Sequence, residues 1–136
     1  MGTLQKTTEP KIKVEFLYGD LTYKINGILI EVYKELGPYA REKQVGDLLE
    51  KKFKKAGISY KREVKIGDSG NVIDFIVEGK IVLELKTKPF LTREHYDQVK
   101  RYLYQTNLKL GILVNFRAKF LCPKRILNVN NYQNLA

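Results

Sequence analysis

The chain has 136 residues, of which 43% are apolar and 29% charged, the proportions of one globular domain with a single core. Its 25 Lys and Arg against 15 Asp and Glu leave a formal charge of +10, a field that favours polyanionic partners, nucleic acid first among them. No apolar run reaches the roughly 18 residues of a membrane span, a lone Cys excludes an internal disulfide, and one Cys with one His argues against zinc.

In chain order, residues 1–15 read as a flexible polar arm without the apolar stretch of a secretory signal, so a cytoplasmic protein with no membrane partner is expected. One domain is expected over 16–129, with a polar tail at 130–136. Ile25, Ile28, Leu29, Val32 and Leu36 recur at helical spacing, with Asp20 as candidate N-cap and Gly37-Pro38 as the stop. A second helix is predicted over 39–56, its apolar stripe formed by Val45, Leu49, Phe53 and Ala56.

The pattern then changes to strands. "SYKREVKI", "NVIDFIVE" and "KIVLELKT" predict three of them, joined by "GDSG" and by a tight turn at Gly79. A helix over 93–105 follows, with Thr92 as its N-cap and Leu91 and Tyr96 as a hydrophobic staple. "KLGILVNF" and "KRILNV" predict two further strands. The order is α-α-β-β-β-α-β-β, an α/β domain without internal repeats.

Asp74, Glu84 and Lys86 stand inside strands that are otherwise almost wholly apolar. Alternation puts Val72, Asp74 and Ile76 on one face of their strand, and Val82, Glu84 and Lys86 on one face of theirs. A three-residue loop, Glu78-Gly79-Lys80, would pair Val77 with Ile81 and bring Asp74 opposite Glu84. A two-residue loop would set Asp74 opposite Leu83 instead. Two facing carboxylates repel unless a cation lies between them. Lys86 could be that cation, in a purely structural ion cluster, or a divalent metal could, and oxygen-only ligation favours Mg²⁺ or Mn²⁺.

Asp74 followed by Glu84-Leu85-Lys86 resembles the D…(D/E)xK core of the PD-(D/E)xK nuclease-like superfamily, with Ile73 in the Pro position. More widely, "LTYKINGILIEVYKELGPYAREKQ", "ISYKREVKI", "DFIVEGKIVLELK", "DQVKRYLYQTNLKLGILVNF" and "KRILN" resemble the GxxExxY family within that superfamily, over about residues 18–128. In "YAREKQV", Glu42 matches the naming motif, while Tyr39 and Val45 stand in its Gly and Tyr positions.

The resemblance implies a restriction-endonuclease-like core, a mixed central sheet of about five strands flanked by helices. It implies a metal-dependent nuclease on DNA in preference to RNA. Asp74 and Glu84 would be metal ligands, with the Leu85 carbonyl and the helical Glu42 as further ones, and Lys86 would act on water and phosphate. Gln98 and Tyr102, four apart on the late helix, resemble a QxxxY motif whose Gln orients the site and whose Tyr lies along the nucleic-acid path. His95, on the same face, reads as an ordinary helix-start residue.

Lys51, Lys52, Lys54 and Lys55 in "KKFKK", and Arg62, Lys88, Arg93, Lys100 and Arg101, are candidate phosphate contacts or simply a solvated surface. With no helix-turn-helix or zinc finger, binding would be independent of sequence. A homodimer would let so small a nuclease span both strands of a duplex. The competing expectation is a binding module of nuclease-like fold that grips nucleic acid or a protein without cutting.

Overall fold

A computed structural model describes residues 17–129. The expected arm at 1–15 and tail at 130–136 lie outside them. The first helix, α1, spans Gly19–Leu36 and buries Ile25, Ile28, Leu29 and Val32, the predicted stripe. Its N-cap is Tyr18, in the left-handed region, and not Asp20. Asp20 stands in the first turn, where its charge complements the helix dipole. Gly37, at φ 74, ends the helix by donating its N–H to the Tyr33 carbonyl.

The second helix, α2, spans Glu42–Ala56 and so begins three residues later than the spacing predicts. Arg41 is extended, and its N–H donates to Gln44 Oε1 at 2.9 Å, a capping bond that fixes the start there. Val45, Gly46, Leu49 and Phe53 are buried, whereas Ala56 is exposed at the helix end.

The strands β1 (Tyr60–Ile66), β2 (Asn71–Val77) and β3 (Ile81–Lys86) are followed by helix α3 (Arg93–Thr106) and strands β4 (Leu110–Asn115) and β5 (Lys124–Leu127). They form one sheet in the order β1-β2-β3-β4-β5, antiparallel except for the parallel pair β3/β4. A parallel pair needs a crossover, and α3 supplies it. The order and the mixed sheet are those of the restriction-endonuclease-like fold.

Helices α1 and α2 cover one face of the sheet, over Phe75, Val77, Leu83, Leu85, Ile112 and Val114. Helix α3 covers the other, over Ile73, Val82, Leu113 and Ile126. Cover on both sides explains why β3 and β4 read as continuous apolar runs. Thr92 caps α3 as predicted, and Leu91 and Tyr96 both pack on the α3-side core. Gly111 admits α3 closely, since a Cβ there would lie 2.6 Å from Val99 Cγ1.

The strand alternation slips at one place, and the face-sharing expected of Val72, Asp74 and Ile76 does not hold. Phe75 and Val77 pack toward α1 and α2, while Ile73 and Ile76 pack toward α3. In β1, Tyr60 joins the first core, and Val64 and Ile66 join the second. The two strands change face together, at Asp74 and at Glu63 opposite it. Arg62 pairs with Phe75 and Val64 with Ile73, but Glu63, at φ 53, is skipped by the ladder.

Candidate functional site

Val77 pairs with Ile81, the register of the three-residue loop, with both Glu78 and Gly79 at positive φ. The β2/β3 ladder ends at Phe75 and Leu83, one step before the carboxylates. There, side chains replace the backbone rungs. The Asp74 N–H donates to Glu84 Oε1 at 2.8 Å, and the Leu85 N–H donates to Asp74 Oδ2 at 2.8 Å. Each bond fixes a carboxylate by a neighbouring main chain, so both acids are held facing each other in the opened seam.

Glu84 is only 3% exposed. Burial, and then the charge of Asp74, push its carboxyl up to about 8. Burial likewise raises Asp74, against the Leu85 N–H that favours its ionised form, and the charge of Glu42 raises it further. The pair therefore resists carrying two negative charges at neutral pH. Lys86 eases this from a distance, yet among the described residues it forms no ion pair with either acid. The structural Asp-Lys-Glu cluster is thus not realised.

From the α2 side a cleft of about 260 Å³ opens onto Asp74, lined also by Glu42, Lys43, Gly46, Glu63 and Leu85. Glu42 is the first residue of α2 and is exposed at the mouth of this cleft. From the other side come Gln98 and Tyr102 of α3. Tyr102 is buried in the α3-side core, and its hydroxyl is raised by burial and by the charges of Glu84 and Asp74. A buried ring is no stacking surface, which corrects its expected place along a nucleic-acid path. Gln98, one turn before Tyr102 on α3, keeps its Oε1 buried and without a partner among the described residues. His95 Nδ1 accepts the Thr92 N–H at 3.0 Å, the helix-start role expected of it.

A family model described as the PD-(D/E)XK nuclease superfamily matches residues 19–126. The chain belongs to the PD-(D/E)XK nuclease superfamily. No match was found among curated proteins or among solved structures. Nucleases of this superfamily generally depend on divalent metal. The donors here fit one: the buried Glu84 and half-buried Asp74 carboxylates, with no ion-paired cation among the described residues, and an orphaned amide oxygen, all hard oxygen ligands. Among the described residues, no three Asp, Glu, His or Cys side chains already converge as a metal cage.

The basic residues of this superfamily member divide sharply. Lys52 reaches Glu35 at 2.8 Å and Glu31 at 3.3 Å, tying α2 to α1. Arg62 binds Asp47 at 2.7 Å and Glu50 at 2.9 Å and lies over the Phe75 ring, passing where Gly46 has no Cβ. Both are engaged with acids within the fold, and Arg62 also lines the cleft that opens onto Asp74. Lys51 and Lys55 are exposed, but Lys55 is thirteen residues along α2 from Glu42, about 20 Å away along the axis. Lys88 and Arg93 are exposed just beyond the end of β3, Arg93 with Asp97 at 3.9 Å. No helix is long and apolar enough to cross a membrane among the described residues.

Two residues escaped sequence reading. Asn115, buried at the end of β4, accepts the Lys88 N–H on Oδ1 at 3.1 Å and donates from Nδ2 to the Lys88 carbonyl at 2.8 Å. A polar residue closing the run "LGILVN" was the available signal. Glu63 had none, since nothing in its type announces positive φ inside a strand.

Proposed function

We propose that this protein is a metal-dependent phosphodiesterase acting on nucleic acid, of the GxxExxY branch, on DNA in preference to RNA and without sequence specificity. The observation that carries the reading is the pair Asp74 and Glu84, held face to face in the opened β2/β3 seam with no ion-paired cation among the described residues. They would hold Mg²⁺ or Mn²⁺, with the Leu85 carbonyl and Glu42 as further ligands. When bound, such an ion polarises the scissile phosphate and makes water a nucleophile near neutral pH.

The chain's own groups have distinct tasks. Lys86 Nζ, two residues beyond Glu84 and in no ion pair among the described residues, donates to the charge that grows on the phosphate oxygens and orders the attacking water. Gln98 Oε1 orients water or ligand from the α3 side. Lys88 and Arg93 hold flanking phosphates. A cytoplasmic location and a homodimer that spans both strands belong to the same proposal.

The test is calorimetric titration of wild type and Glu84→Ala with Mg²⁺ and Mn²⁺, with cleavage of labelled single-stranded, duplex and branched DNA and RNA alongside. Saturable metal binding and cleavage are expected in the wild type, with a loss of several orders of magnitude in rate in the variant. The second reading, a non-catalytic binding module, draws on Tyr39 and Val45 in the Gly and Tyr positions of the naming motif, Val45 being fully buried as a core residue. Nucleic-acid binding with neither metal uptake nor cleavage would establish it instead.

A further inference from the structure

Strands β3 and β4 run parallel and end level, Lys86 beside Asn115. The loops that leave them therefore emerge at one end of the sheet. At about 3.3 Å per residue, that end is about 7 Å beyond Glu84. Each loop carries one strongly exposed aromatic ring, Phe90 at 71% and Phe120 at 77%. Isolated exposed rings are ordinary on a protein surface, but these two have company.

Both loops are fastened by hydrogen bonds. Asn115 clips the first through Lys88 in both directions, and its Oδ1 also accepts the Arg117 N–H at 3.2 Å. The Phe116 N–H donates to the Lys86 carbonyl at 2.8 Å. The second loop is also held from α1, where the Tyr33 hydroxyl meets the carbonyls of Ala118 at 2.8 Å and Lys119 at 2.9 Å. Little ordering would remain to be done on binding.

The charge is one-sided. Lys88 on the first loop, with Lys86 at the end of β3, and Arg117 and Lys119 on the second, with Lys124 at the start of β5, have no Asp or Glu among them between 86 and 93 or between 117 and 124; Glu94 follows in the first turn of α3. Lys119 Nζ lies 5.6 Å from the Phe120 ring centroid, so a cation stands beside an exposed ring. Rings that face solvent on basic loops match a strand whose bases are unpaired. Stacking takes the base and the cations take the phosphates, whereas a duplex keeps its base faces inside.

We propose that the exposed Phe90 and Phe120, on two hydrogen-bonded basic loops at the carboxylate end of the sheet, form a stacking platform for unpaired nucleotides, so that the substrate is a single strand, a flap or a frayed end. The inference rests on the nucleic-acid reading above and names its substrate class.

The test measures binding without metal or cleavage. Fluorescence anisotropy in EDTA would compare a labelled oligothymidylate with a blunt hairpin duplex of equal length, for wild type, Phe90→Ala, Phe120→Ala, Phe90→Trp and Phe120→Trp. Each alanine is expected to weaken single-strand binding about tenfold while duplex binding moves less than about twofold, and each tryptophan to restore it. Equal losses on both probes, or no loss on either, would overturn the platform. Circular dichroism separates these outcomes from unfolding, and both positions are exposed. Metal uptake and cleavage, measured separately on the same wild-type protein, keep the two readings apart. Failure of metal uptake and cleavage with ring-dependent binding intact would remove the phosphodiesterase and leave the platform.

Discussion

Glu84 shows how burial converts an ordinary carboxylate into a group with a purpose. Its ordinary value of 4.5 rises to about 8, so between those limits the folded protein holds a proton that the unfolded chain has released. Stability from this group is therefore complete below about 4.5 and is lost as pH climbs through about 8; Asp74, also raised, adds in the same direction. Thermal melts of EDTA-treated protein should fall over that window in the wild type and much less in Glu84→Gln, so that the variant becomes the more stable at the alkaline end. Parallel curves would show that the two acids do not strain each other. Glu63 belongs to the same strained point, since a non-glycine residue at φ 53 in a strand is costly and lies opposite Asp74, where both ladders break. The backbone distortion and the carboxylate pair form one local structure.

At the scale of elements, the site depends on how closely α3 lies on the sheet. Tyr102 lies close enough to feel the charges of Glu84 and Asp74 because Val99 sits against Gly111, where any Cβ would collide with it. Gly111→Ala should thus cost about 1–3 kcal/mol in chemical denaturation, and Val99→Ala in the same chain should return part of it. Additive losses would place the strain elsewhere. The elements themselves were largely legible, because the helical stripe of α1 and the apolar runs of β3 and β4 report burial directly. The start of α2 was not. Tyr39 and Ala40 suit a helix as well as the residues that follow, and a bond between Arg41 and Gln44 decides where it begins.

Across the whole molecule, a charge of +10 is not a uniform coat. Lys52 and Arg62 are neutralised by acids that staple α1 to α2 and α2 to β1, while Lys86 and Lys88 at the sheet end form no ion pair among the described residues. Salt titrations of nucleic-acid binding should separate the two groups. Lys88→Ala should reduce the slope of log K against log salt by about 0.7–0.9, the release of one counterion. Lys52→Ala should leave that slope alone and lower the melting temperature instead. Equal slopes for both variants would mean that the nucleic acid does not approach the sheet end.

By itself the sequence determined the element order and placed Asp74 and Glu84 on adjoining strands, facing each other only if the loop between them had three residues. Periodicity is a local property, and the element order follows from it, whereas the register came with the folded hairpin. The tertiary structure decided what local pattern cannot hold. It turned β1 and β2 over at Glu63 and Asp74, buried Tyr102, occupied Lys52 and Arg62 with acids from other elements, and brought Phe90 and Phe120 to one end of the sheet. Those outcomes depend on which distant groups compete for the same space and charge, and that competition exists only once the chain has folded.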